Sequence, residues 1–216
     1  MTIEPWVIPL GGIVAYSVWV FVRAAVLQRR RREAFAEFCL IRGFKFDPQH
    51  PEGERRFRDV FEDFQKGNEE SWRNAITGTK NGAPFTAFEY VWTERRAPYF
   101  RSGLIWERDD VSLPRFELWP EGWASRIAEV VGMQDVDFSE SPEFSRAYHL
   151  TGPNEPAIRA LFTPEIREFL AVTPDQHVTG GGRFLIWWSA TLLPPPSGFD
   201  EWLEQGDHVR RRFFRQ

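Results

Sequence analysis

The sequence predicts an α+β protein: a mainly antiparallel sheet of about six strands covered by amphipathic helices, preceded by one N-terminal transmembrane helix. Three observations carry that prediction. Pro5 to Val22 holds no side chain that is charged at neutral pH and is followed closely by four successive arginines, Arg29, Arg30, Arg31 and Arg32. Phe57, Val60, Phe61 and Phe64 repeat at i, i+3, i+4 and i+7, one face of a helix. From Trp72 onward, short aromatic-rich runs alternate with turn residues, the pattern of paired strands.

The N-terminal run sets the first expectation. Taken as one helix, Trp6 to Leu27 is about 33 Å long, enough for a hydrocarbon core of about 30 Å. Arg23 falls near its end, where a long side chain reaches headgroups along its own stem. Trp6 suits an interface anchor, whereas Trp19 lies deeper. Only Glu4 is charged before the run, and the arginines cluster after it. The positive-inside rule then places the N-terminus outside and the bulk of the chain in the cytoplasm. The expected division is an anchor over residues 1–28 and a cytoplasmic domain over 29–216, at the inner membrane as a single-pass protein. A cleaved signal peptide fits less well, because the n-region is acidic and the apolar run is long.

Beyond the run, length and composition describe one domain with a real core. The chain has 216 residues, is 42% hydrophobic and 16% aromatic, and carries ten Trp and twenty Phe, which excludes disorder. Its net charge of −4 is unevenly spread. The two ends are arginine-rich, leaving 18 basic and 30 acidic residues between 33 and 207, a formal −12. Such an acidic body excludes a phosphate-neutralising role, so nucleic acid is not an expected partner. Of 27 basic residues only three are Lys, a skew expected of a GC-rich bacterial genome. Cys39 is the single cysteine, so there is neither an intrachain disulfide nor a thiolate cluster.

The segment RRRREAFAEFCLIR continues the first helix, with Gly43 as its stop. DPQHPEG reads as a loop and ERRFRDVFEDFQKG as an amphipathic helix. WRNAITGT and PFTAFEYVWT flank Asn81-Gly82, the strongest short hairpin signal. Phe85, Ala87, Glu89 and Val91 share one face of the second run and Thr86, Phe88, Tyr90 and Trp92 the other, so this strand is expected to be central and buried on both sides. With YFRSGLIWE and LPRFELWP these form a predicted four-stranded meander. A helix from Pro120 to Gly132, a strand at SRAYHL, and two helices follow. Those helices start at Asn154–Pro156 and at Thr163–Pro164, each with an N-cap residue followed by proline. DQHVT and RFLIWWSAT, joined by Gly180-Gly181-Gly182, complete the sheet. A last amphipathic stretch runs through Phe199, Trp202, Leu203, Val209 and Phe213.

No catalytic, cofactor-binding or metal site emerges from the motifs. TGGGRF lacks P-loop spacing and sits between strands. His50, His149, His177 and His208 have no HExxH or i, i+4 partner, though His149 and His177 are candidates to converge. Glu89 and Glu117, on aromatic-rich strands, read either as raised-pKa acids or as carboxylates facing water. Cys39 reads as a small buried hydrophobe. The basic, aromatic tail with Arg210, Arg211, Arg212, Phe213, Phe214 and Arg215 suggests contact with an anionic lipid surface, alongside Arg29 to Arg32.

The strings NAITGTKNGAPFTAFEYVW, LPRFELWPE and FSRAYHLTGPNEPAIRALFTPEI resemble those of uncharacterised bacterial single-span membrane proteins of unassigned function. The resemblance spans most of residues 43–213 plus the anchor-then-domain layout. It implies no activity and no functional residue. The resulting expectation is a membrane-tethered cytoplasmic module that binds a protein partner or organises at the lipid bilayer surface, with no cofactor. The alternative is a membrane-proximal enzyme whose cleft the sequence does not advertise.

Overall fold

The computed structural model describes residues 7–49, 68–94, 97–121 and 135–214. Its centre is an eight-stranded, wholly antiparallel sheet rather than one of about six. The strands are β1 (Lys45–Gln49), β2 (Asn68–Lys80), β3 (Ala83–Glu94), β4 (Ala97–Glu107), β5 (Leu113–Pro120), β6 (Tyr148–Thr151), β7 (His177–Gly182) and β8 (Phe184–Ser189), in spatial order β1-β2-β3-β4-β8-β7-β5-β6. Among the described residues the helices are α1 (Val7–Arg42), α2 (Pro142–Ala147), α3 (Glu155–Leu161), α4 (Pro164–Val172) and α5 (Pro196–Phe213).

The β2–β3 hairpin turns at Asn81 and Gly82, both with positive φ (52° and 75°), which an Asn-Gly pair adopts with little steric penalty. β3 is central, as expected. Phe85 and Ala87 enter one core while Phe88 and Tyr90 enter another across the sheet. The predicted meander holds for β2, β3 and β4, but β8 and β7 insert between β4 and β5.

Smaller differences have local causes. β1 occupies part of the segment read as a loop; it pairs along β2 as an edge strand, where Pro48 is tolerated. SRAYHL divides, its first half closing the short helix α2 behind Pro142 and its second half forming β6. The helix predicted over Phe57–Phe64 and the one from Pro120 to Gly132 fall outside the described residues, apart from Pro120, which ends β5, and Glu121.

One face of the sheet receives the C-terminal half of α1 and helices α2 to α5. This main core includes Phe35, Cys39, Leu104, Trp106, Phe116, Phe162, Phe199 and Phe213. α5 lies across β4 and β8. Its Gly206 makes the close approach possible, because a Cβ there would meet Leu104, Trp187 and Trp106 at 2.8–2.9 Å.

The transmembrane expectation is overturned: no helix among the described residues is long and apolar enough to cross a membrane. α1 has 36 residues, but its uncharged part is diluted by Gly, Tyr, Ser and Trp and is closed by Arg23. The helix also runs unbroken through position 28, and its second half is committed to the sheet. The single-pass inner-membrane location and the topology inferred from it lose their support with the span.

Candidate functional site

α1 is two surfaces on one rod. In its C-terminal half Phe35 and Cys39 are fully buried, and Phe38 packs edge-on against Phe199 at 5.4 Å. Arg31, expected as a flanking charge, is instead the helix's ionic anchor. Its guanidinium donates to Glu89 Oε1 and, at 2.7 Å, to the Leu193 carbonyl. Glu89 also accepts from Asn74 Nδ2 at 2.7 Å and from the Leu193 N–H at 3.1 Å. Asn74 reaches it from an irregularity in β2, where the register shifts between Arg73 and Ile76 and the Asn74 φ is 51°. Glu89 is therefore neither a water-facing carboxylate nor an isolated acid; it is the acceptor of a buried ionic cluster joining α1, β2, β3 and the chain before α5. Arg29 pairs with Glu33 at 2.8 Å on the surface, Arg30 is exposed and Arg32 is half-buried.

The N-terminal half is different. From Val14 to Leu27 every side chain is exposed. Val18, Trp19, Val20, Phe21 and Val22 are successive residues, each between 41% and 77% exposed. At 100° per residue, five successive positions cover the whole circumference, so this is an apolar rod and not one apolar stripe. Arg23 lies over the Trp19 ring at 5.2 Å. Trp6 lies outside the described residues.

The lipid-facing expectation for the C-terminal tail is corrected by burial. Phe213 and Phe214 belong to the main core, with Phe213 stacked on Phe116 at 5.5 Å. Arg210 is buried and donates to Asp207 at 2.6 Å. Asp207, with no exposure, also accepts from Asn81 Nδ2 at 2.7 Å, tying α5 to the β2–β3 turn. Arg211 bonds Glu204 at 2.8 Å, and Arg212 sits over Phe169 at 4.8 Å. Arg215 lies outside the described residues. The amphipathic period that suggested a membrane surface is the period of a core helix.

The other sheet face carries an aromatic row that the sequence showed only as scattered rings. Trp72 stacks on Phe88 (4.1 Å), Phe88 meets Trp188 edge-on (5.6 Å), Trp188 lies beside His177 (5.8 Å), and His177 stacks on Trp119 (3.7 Å). Gly103 sits between Phe88 and Trp188, and Arg101 lies over Trp188 at 3.6 Å. The missing signal was cross-strand register: Phe88, Trp188, His177 and Trp119 line up only once β8 and β7 sit between β4 and β5.

His149 and His177 do not share a site, because Trp119 stands between them on β5. His149 instead lies between two carboxylates, Asp135 at Nδ1 and Glu121 at Nε2, both at 2.9 Å. His208 contacts Phe169, and His50 falls outside the described residues. Among the described residues no group of three or more His, Cys, Asp or Glu is placed to hold a metal ion. Glu117 is buried and accepts from Trp119 Nε1 at 3.2 Å. Burial pushes the Cys39 thiol up to about 11, so at neutral pH it is a packed apolar group and not a thiolate. Gly180 to Gly182 form the end of β7, close to the turn into β8.

These features define an antiparallel α+β protein with a continuous exposed apolar surface on the first half of α1. No family model matches the chain, and no curated protein matches it. Among solved structures it is similar to the crystal structure of the mycobacterial trehalose monomycolate transport factor A, TtfA. The TM-score is 0.58 and the identity 11%, over 86% of this chain and 93% of that one. At that identity the likeness shows the fold alone.

Proposed function

We propose that the protein is an interaction module that presents the N-terminal half of α1 to a protein partner. The observation that carries this reading is the apolar circumference at Val18 to Val22, on a helix whose other half is locked to the sheet by Arg31 and Phe35. Apolar surface of this extent in water is unfavourable by about 25 cal/mol per Å², and contiguous exposure of this kind marks an interaction site. Because the rod is apolar all round, the partner encloses it rather than lying along one side. The docked half supplies rigidity, so the rod projects in a fixed direction and loses little entropy on binding. The similar solved structure is named a transport factor for trehalose monomycolate; from it we take the fold and not the cargo.

The test is site-specific photo-crosslinking of the full chain in cells. A photoreactive residue at Val18 and another at Val20, about 200° apart around the helix, should both yield an adduct with the same protein. One at Glu37, on the docked half, should not. Replacing Phe21 and Val22 by Ser should abolish both adducts. No protein adduct, adducts from one side only, or adducts with lipid alone would each overturn the reading.

A further inference from the structure

A second site, independent of the α1 rod, lies in the groove between the end of α4 and the middle of α5. Its volume is about 570 Å³, within the range of small-molecule sites. The apolar lining is Phe169, Trp187 and Val209, and all three belong to the main core. Trp187 is held in place by a 2.9 Å bond from its Nε1 to Gln176 Oε1.

The polar lining has a sign. Two carboxylates face the groove, Glu201 and Glu204. Glu204 is already engaged by Lys80 and Arg211, each at 2.8 Å. Glu201 is exposed and has no ion pair among the described residues. The groove also receives the C-terminal end of α4, where backbone carbonyls present the negative end of the helix dipole and no basic residue stands in the last turn to offset it. His208 at the rim lies against Phe169 and leaves the Glu201 carboxylate unpaired.

The apolar floor, the Glu201 carboxylate without an ion pair, and a helix C-terminus with no basic residue of its own suit a cation with an apolar body, although Arg212 lies over the Phe169 ring at 4.8 Å. We propose that this groove binds a small organic cation, an ammonium carried on an apolar body. The body lies on Phe169, Trp187 and Val209, and the charge meets Glu201.

The test uses three probes of one shape, 3-phenylpropylamine, 3-phenylpropanol and 3-phenylpropanoate, titrated into the full chain at pH 7. The readout is the His208 ring resonance, assigned with His208→Asn. The amine should give a saturable shift. The alcohol should bind roughly fivefold more weakly, the factor set by one partly exposed ion pair, and the carboxylate should not bind. Glu201→Gln, a surface change, should reduce amine binding by about the same factor and leave the alcohol unchanged. Equal binding of amine and alcohol, an unaltered amine affinity in Glu201→Gln, or no saturable shift with the amine would each overturn the proposal.

Discussion

At the scale of single residues, the decisive feature is that carboxylates which look idle in the sequence are structural acceptors. Glu89 gathers three elements through Arg31, Asn74 and the Leu193 N–H. Breaking such a cluster from one side leaves buried groups without partners. Glu89→Ala is therefore expected to lower stability by about 3–5 kcal/mol in denaturant unfolding, with an unchanged m-value. The net worth of the pair itself is smaller, because both charges were desolvated to form it. The double variant Glu89→Leu, Arg31→Met should for that reason be more stable than Glu89→Ala. If the double variant is the less stable of the two, the cluster is worth more than its desolvation and this account of it is wrong. Nothing local foretells the cluster, since Arg31 and Glu89 lie 58 positions apart and Asn74 turns inward only through the β2 irregularity.

Elements show where local chemistry is enough and where it is not. The Asn81-Gly82 hairpin was legible because the turn fixes its own register. The helix starts at Asn154 and Thr163 were legible too, since each places proline in the first turn. Yet the two starts are not equivalent. Asn154 Oδ1 accepts from the Ala157 N–H at 3.2 Å, whereas Thr163 makes no side-chain cap. Asn154→Ala should cost about 1 kcal/mol, and Thr163→Ala less than half of that. Thermal unfolding of the two variants under one buffer decides it; equal losses would contradict the capping geometry. What local pattern did not reveal was partnership. The periodicity of α5 marks an apolar face correctly, but periodicity alone does not distinguish a core from a lipid surface. The first half of α1 posed the same ambiguity, and there the uncharged run led to a membrane span that the fold does not support. β1 was missed because Asp47-Pro48 reads as a breaker in isolation and is accepted only at a sheet edge.

In the molecule as a whole, the order β4-β8-β7-β5 means that the two ends of the chain close the fold together. β8 and β7 arrive late in the sequence and bridge the early β1–β4 hairpins to β5 and β6, so neither group of strands completes the sheet alone. α5 then spans the join on the helical face. Asp207 holds the β2–β3 turn through Asn81, Phe213 stacks on Phe116 of β5, and the Phe214 carbonyl accepts from Arg108 at 2.7 Å. A helix that contacts both groups of strands makes their unfolding a single event. Phe213→Ala should accordingly cost about 3–5 kcal/mol, in the range for a fully buried phenylalanine. The loss should also be shared. Amide exchange in β2–β3 and in β5–β7 should accelerate by the same free energy, because both groups open only when α5 leaves. If exchange rises in β5–β7 alone, the strands on the two sides of β8 are separate folding units, and α5 caps one of them instead of joining both.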